Sequence, residues 1–268
     1  MNFETFDELF CCLLEDLYTN GSDVYGTREL TNIQFTLTNP YECVLNNNLR
    51  SASIKYLLAE NLWYASGHNE VDFIGKYASL WNNITDDGIT NNSAYGYIMK
   101  TKHGFNQIEK VIEMLSKNPE NRRAVININD ANENVIETKD EQCTMFIQFL
   151  VRNNKLNMTV CMRSNDLIYG LINDIPAFSG LLIYVASRLN LEVGEYTHFD
   201  TSLHYYHNKD KIVDKMMSEY NTNGLIRKKQ PSIDWVKLYT NAESIYQRVN
   251  ADKENIIEIC KDCGIYRD

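Results

Sequence analysis

The chain has 268 residues, 44% hydrophobic and 23% charged, which is enough apolar material for one sizeable core and argues against disorder. A net charge of −10 and a pI near 5.1 disfavour extended DNA or RNA binding, while a few local arginines still suffice to hold a small anion. No apolar run reaches the roughly 18 residues of a membrane span, and Met1-Asn2-Phe3-Glu4 lacks the basic start of a signal peptide.

The apolar spacing of Phe3, Phe6, Leu9, Phe10, Leu13, Leu14 and Leu17 predicts an amphipathic helix over 3–18, ended by Asn20-Gly21-Ser22. Residues 33–37 alternate as a half-buried strand does, until Asn39-Pro40 breaks it. A second helix is predicted over 51–66, with Glu60 set among apolar neighbours. Short helices and loops follow over 67–95, then a helix over 105–117. The pattern then turns to strands: 124–128, 142–151, and, after the Asn153-Asn154 turn, a run alternating through Leu156, Met158, Val160 and Met162. Residues 175–190 return to helical spacing and are apolar around most of the circumference, which predicts a buried helix. A strand over 195–206 and a helical, acidic tail from about 232 complete an α+β chain. Its expected form is a mixed sheet covered by helices on one side, a single domain spanning 1–268.

Seven cysteines without an export signal point to free thiols in a reducing cytosol, and so to a cytoplasmic protein. Cys260-Lys261-Asp262-Cys263 is a lone C-x-x-C with too few ligands for a metal, so no metal is expected. Reactive residues gather in Asn121-Arg122-Arg123, Glu141-Gln142-Cys143-Thr144, Met162-Arg163-Ser164-Asn165-Asp166, Asn173-Asp174 and His204-Tyr205-Tyr206. Each alone has a plain structural explanation: a solvated arginine pair, a buried strand cysteine, a helix N-cap at Asp174, a satisfied core histidine.

In this order and spacing, however, they resemble the thymidylate synthase family over roughly 51–209, most specifically from Cys143 to Tyr206. The tail is not obviously similar. The resemblance implies a homodimer acting on a pyrimidine nucleoside monophosphate, with 5,10-methylenetetrahydrofolate as cosubstrate. It implies that Cys143 adds to C6 of the base and that Glu60, in Ala59-Glu60-Asn61-Leu62-Trp63-Tyr64, shuttles the C5 proton. Tyr95 would stand near the nucleophile. Arg163 and Ser164 would hold the 5′-phosphate, joined by Arg122 and Arg123 of the neighbouring subunit, with Arg28 a further phosphate ligand. His204 and Tyr206 would bind the sugar 3′-hydroxyl, while Asp166 and Trp81 would meet the folate. Chemically, a thiolate is well suited to activate C5 by adding at C6, and the thiol pKa is expected to be lowered by cations such as Arg163. A carboxyl group of perturbed pKa suits proton transfer at Glu60, and arginine forks suit phosphate oxygens.

One departure selects the base. Counting from Arg163-Ser164 through Gly170, the place of the family's uracil-reading Asn falls on Asp174. Uracil offers an N3–H donor and an O4 acceptor, which one amide can pair; cytosine offers an N3 acceptor and an N4 amino donor. A protonated carboxyl answers cytosine, and burial favours that form. In this respect the chain is similar to deoxycytidylate and cytidylate 5-hydroxymethylases, in which water captures the methylene intermediate. Ala177 stands where family members carry Ser, leaving room for a 2′-hydroxyl, and the ending Tyr266-Arg267-Asp268 does not look like the family's apolar plug. The alternatives are a (d)CMP methyltransferase, a thymidylate synthase acting on dUMP, and a non-catalytic nucleotide- or RNA-binding relative.

Overall fold

The computed structural model describes residues 1–132, 137–252 and 255–268. In chain order the elements are β1 (Asn2–Phe3), α1 (Phe6–Asn20), β2 (Ser22–Val24), β3 (Thr27–Leu37), α2 (Ile54–Ser66), α3 (Val71–Ile74), α4 (Leu80–Ile84), α5 (Tyr95–Lys100) and α6 (Gln107–Lys117). Then come β4 (Val125–Asn127), β5 (Thr144–Arg152), β6 (Lys155–Met162), β7 (Asn165–Asp166), α7 (Leu171–Leu189), β8 (Glu192–Tyr206) and α8 (Asp210–Asn223). The last are β9 (Ser232–Ile233), α9 (Trp235–Thr240), α10 (Ala242–Asp252), α11 (Ile256–Asp262) and β10 (Tyr266–Arg267).

One mixed sheet runs in the order β1-β3-β8-β6-β5-β4. β8 is its axis: it pairs antiparallel with β3, and parallel with β6 and then with β7. Alternation explains the layers. Leu156, Met158, Val160 and Met162 of β6 are buried while the residues between them are half-buried, so one face carries the core. Helices α1 and α7 pack on the sheet, and α2 packs on α7. The expected mixed sheet with helices on one side is therefore present.

The differences from the sequence reading have local causes. The strand expected over 33–37 extends back to Thr27, because its polar half is paired along β8. The helix expected from 175 begins at Leu171. Pro176 reads as a helix start, but here it lies in the second turn, where its ring cannot donate to the carbonyl of Ile172. Asp174 is thus inside the helix and not its N-cap; Gly170 holds that position. Helix α8 had no counterpart in the sequence reading, since only Val213, Met216 and Met217 of it are buried. The tail is helical as expected, and Tyr266-Arg267 pairs with Ile233-Ser232 at its end. Among the described residues no helix is long and apolar enough to cross a membrane.

Two devices place the site. The β5–β6 register slips between Thr144 and Phe146, a bulge directly after Cys143, and such bulges re-aim neighbouring side chains. Gly96 lets α5 touch α2: a Cβ there would come within 2.1 Å of the carbonyl oxygen of Tyr64. Gly96→Ala is expected to cost about 1–3 kcal/mol, read as a lower urea midpoint with an unchanged slope. A wild-type midpoint would show that the two helices separate freely.

Candidate active site

Cys143 sits at the mouth of β5, half-buried, and its surroundings are tied from four directions. The Gln142 side chain donates to Asn92 O at 2.8 Å, and Ser93 N donates to the Asp140 carboxylate at 2.9 Å. Arg163 N donates to Cys143 O at 2.8 Å, and Arg163 Nε to Gln142 O at 2.9 Å. Thr144 N lies 3.3 Å from Tyr95 Oη. Tyr95, buried on α5, stacks between Tyr64 and Phe178, with ring centroids 5.4 and 6.2 Å away. It therefore stands beside Cys143.

The thiol departs from expectation. Arg163 does lower its pKa, but burial outweighs that cation, and Asp174, Asp140 and Glu141 act with burial. The thiol is pushed up to about 11. The guanidinium of Arg163 is also partly committed, with Nη2 3.1 Å from Glu141 O. The thiol is therefore held in its protonated form at neutral pH.

Two further carboxyls are linked to the thiol in succession: Asp174 is coupled to Cys143, and Glu60 to Asp174. Glu60, buried on α2, is pushed up to about 7 by burial, against a lowering hydrogen bond from Tyr56 Oη at 2.6 Å. Tyr56 Oη in turn accepts from Trp81 Nε1 at 2.9 Å. Asp174 on α7 is raised well above the usual carboxylate range by burial first, then by Glu60, Asp200 and Asp166, while Asn165 hydrogen-bonds to it and lowers it. Asp174 is coupled to Cys143, Tyr95 and Glu60, so the structure brings these four side chains within electrostatic reach of one another through Asp174.

Behind Asp174 runs a buried polar line. Tyr196 Oη lies 2.6 Å from His198 Nδ1, and His198 Nε2 lies 2.9 Å from Asp200 Oδ1, with Phe35 stacked on the imidazole. Sequence reasoning missed this line, and it missed Tyr56. The signals existed: Tyr196, His198 and Asp200 are polar residues at successive core positions of a strand, and Tyr56 lies four residues before Glu60 on the same helix face.

The remaining residues divide. Asp166 pairs with His204 across β7–β8, and burial raises its carboxyl while Ile168 N donates to Oδ1 at 2.8 Å. His204 is buried with Nδ1 lacking a partner, and its ring meets that of exposed Tyr206 edge-on at 5.2 Å. Gln142 Oε1, Thr144 Oγ1, Asn165 Oδ1 and Asp200 Oδ2 are likewise buried without partners. Such atoms call for a ligand or water. Ser164 is half-buried next to Arg163. Arg122 and Arg123 are exposed and line a surface recess of about 350 Å³ with Asn118, Glu120 and Asn121. A second recess, of about 370 Å³, is formed by Tyr41, Trp235, Arg267 and their neighbours and contains none of the site residues.

Arg28 does not join the site. It pairs with Tyr205, so its side chain leaves the sheet on the face opposite His204 and Tyr206. There its Nε donates to Leu17 O and Tyr18 O at 3.1 Å, and Nη1 meets Asp23 at 3.2 Å. It caps the end of α1 rather than facing a phosphate.

Residues 10–266 match the family model described as thymidylate synthase. The chain belongs to the thymidylate synthase family. The match includes the tail that the sequence reading left outside the resemblance. Deoxyuridylate hydroxymethyltransferase of Pseudomonas phage M6 is 33% identical over 66% of this chain and 50% of its own length. That of Bacillus phage SP01 is 29% identical over 81% of this chain and 61% of its own length. The chain thus spans about half to three-fifths of these phage relatives. Thymidylate synthase of Buchnera aphidicola subsp. Acyrthosiphon pisum (strain APS) is 27% identical over 69% of this chain and 71% of its own. The solved thermostable thymidylate synthase A from Bacillus subtilis shares the fold, with a TM-score of 0.72 over 88% of this chain and 91% of that one at 20% identity.

With the thiol pushed up to about 11, alkylation of Cys143 by iodoacetamide should rise roughly tenfold per pH unit between pH 7 and 9. Peptide-resolved mass spectrometry separates it from the other six cysteines. Arg163→Ala should slow the reaction further, because it removes a charge that lowers the thiol pKa. A plateau below pH 8 would contradict the geometry.

Proposed function

We propose that this member of the thymidylate synthase family hydroxymethylates C5 of a cytosine nucleotide, dCMP or CMP. The observation that supports the reading is Asp174: a carboxyl coupled to Cys143, raised well above the usual carboxylate range by burial and by its acidic neighbours, at the place where the resemblance puts the base reader. A protonated carboxyl donates to cytosine N3 and accepts from the N4 amino group, the pairing that an amide serves for uracil.

The chain's residues then divide the work. Cys143 Sγ adds to C6, and the proton held by Asp174 offsets negative charge developing at N3. Glu60, with a pKa near 7, exchanges the C5 proton with water. Methylenetetrahydrofolate would supply the one-carbon unit at the oxidation level of formaldehyde. Asp166 and Trp81 would hold it: Asp166 offers a buried acceptor, and Trp81, whose indole N–H is spent on Tyr56, offers a ring face. With loss of the C5 proton and departure of the folate nitrogen, water would add to the methylene left on C5, and Cys143 Sγ would be expelled from C6, giving the hydroxymethyl group. Arg163 and Ser164 would bind the phosphate, and His204 Nδ1, lacking a partner, would meet the sugar hydroxyl. The exposed Arg122 and Arg123 would complete the phosphate site of a second copy in a homodimer.

A second reading takes dUMP as substrate, and it is favoured by the names of the phage relatives. Tritium release from 5-labelled dCMP, CMP and dUMP, with methylenetetrahydrofolate present, separates the two, and product mass separates hydroxymethyl from methyl. We expect release from a cytosine nucleotide at least about tenfold faster than from dUMP, since mispairing buried polar groups at a base-reading site is costly. Faster release from dUMP would sink the cytosine reading. Asp174→Asn should move preference toward dUMP, and Cys143→Ala should abolish release from every substrate.

A further inference from the structure

Tyr56 stands outside the residues assigned to nucleotide and folate, yet it makes the 2.6 Å hydrogen bond to Glu60 and is itself held by Trp81. We propose that Tyr56, pinned by Trp81, is a positioning residue that confines the mobile proton of Glu60 to Oε2. This rests on Glu60 being the carboxyl that moves a proton in the reaction, but not on which base is bound.

The inference follows from counting hydrogens. An indole N–H only donates. Trp81 Nε1 lies 2.9 Å from Tyr56 Oη, so the phenol oxygen is the acceptor in that contact. The phenol has one hydrogen, and among the described residues Glu60 Oε1 is the acceptor within reach of it. Oε1 therefore accepts whether Glu60 is charged or neutral, and a proton bound by the carboxyl lies on Oε2. Were the proton on Oε1, the phenol hydrogen would be stranded. Trp81, on α4, thus directs Tyr56 rather than touching Glu60.

The same contact sets acidity. Burial pushes the Glu60 carboxyl up, and the Tyr56 hydrogen bond opposes burial by favouring the charged form. The other titratable groups coupled to Glu60 are Tyr64 on α2 and Asp174 on α7, with Tyr95 on α5 and Cys143 beyond Asp174. None of these is a cation, so among the described groups Tyr56 is what holds Glu60 near neutrality. Removing its hydroxyl must move the Glu60 titration upward.

Infrared difference spectra across pH, with Glu60→Gln to assign the carboxyl band, read that titration without substrate. The wild-type midpoint is expected near 7. Tyr56→Phe should move it up by about one pH unit. Trp81→Phe, which leaves the phenol in place but unpolarised, should move it the same way by less; this variant also serves if Tyr56→Phe fails to fold. In turnover, Tyr56→Phe should lower kcat about tenfold at pH 7, with KM for the nucleotide changed less than about twofold, and shift the Glu60 limb of the pH profile upward. In a Glu60→Gln background the same change should alter kcat less than about twofold. An unmoved infrared midpoint, or equal losses in both backgrounds, overturns the proposal. A wild-type protein that turns over none of dCMP, CMP and dUMP would defeat the functional reading, while the infrared midpoints would still decide the role of Tyr56.

Discussion

Three raised carboxyls and a thiol are coupled through Asp174, and they cannot all be ionised together. Glu60, Asp174 and Asp166 are each raised by burial, and Asp174 is raised further by the other two and by Asp200. Like charges in low dielectric repel strongly, so protons must stay on these groups at neutral pH. The rest of the site can be understood from that constraint. A protonated Asp174 is a donor, a Glu60 near 7 is poised between acid and base, and the Cys143 thiol stays protonated until something shifts the balance.

The fold makes the crowding possible by bringing separate elements edge to edge. Glu60 comes from α2, Asp174 from α7, Asp166 from β7 and Cys143 from the bulged start of β5. Gly96 lets α5 approach α2 so that Tyr95 can reach Thr144 N. Arg163 serves twice. Its backbone and Nε hold the carbonyls of Cys143 and Gln142, and its charge acts on the thiol. On the proposed function, a bound phosphate would compete for that guanidinium, so substrate binding and thiol activation would meet at one side chain.

Much of this was legible in the chain. The reactive segments kept their order and spacing, and the alternation of β6 and the helical period of α7 located the sheet and the helix behind it. Two kinds of feature were not legible. Arg28 was assigned from the resemblance of its segment to the family's phosphate loop, but strand parity puts it on the far face of the sheet, and parity depends on a register that pairing with Tyr205 fixes. The pKa of Cys143 was judged from its cation alone, whereas burial and Asp174 come from segments distant in sequence, and Asp140 and Glu141, three and two residues before the thiol, act with them. Charge type is local information; the depth of burial is not.

On the proposed function, Asp174 as base reader and Glu60 as proton shuttle would not be independent. Glu60 and Asp174 repel each other when both are charged, so the proton on one depends on the state of the other. When cytosine N3 accepts from Asp174, that proton is held in place and Asp174 stays uncharged beside Glu60. A uracil ring, which presents N3–H, would instead favour the ionised form and so raise the cost of a Glu60 carboxylate. Selectivity at this site can therefore arise in the chemical step as well as in binding: a mispaired base disturbs the acid–base group that must act on C5. An amide at 174 would relieve this coupling together with the cytosine pairing. A change of one side chain at this position thus has two consequences, one for which base is read and one for how Glu60 exchanges its proton.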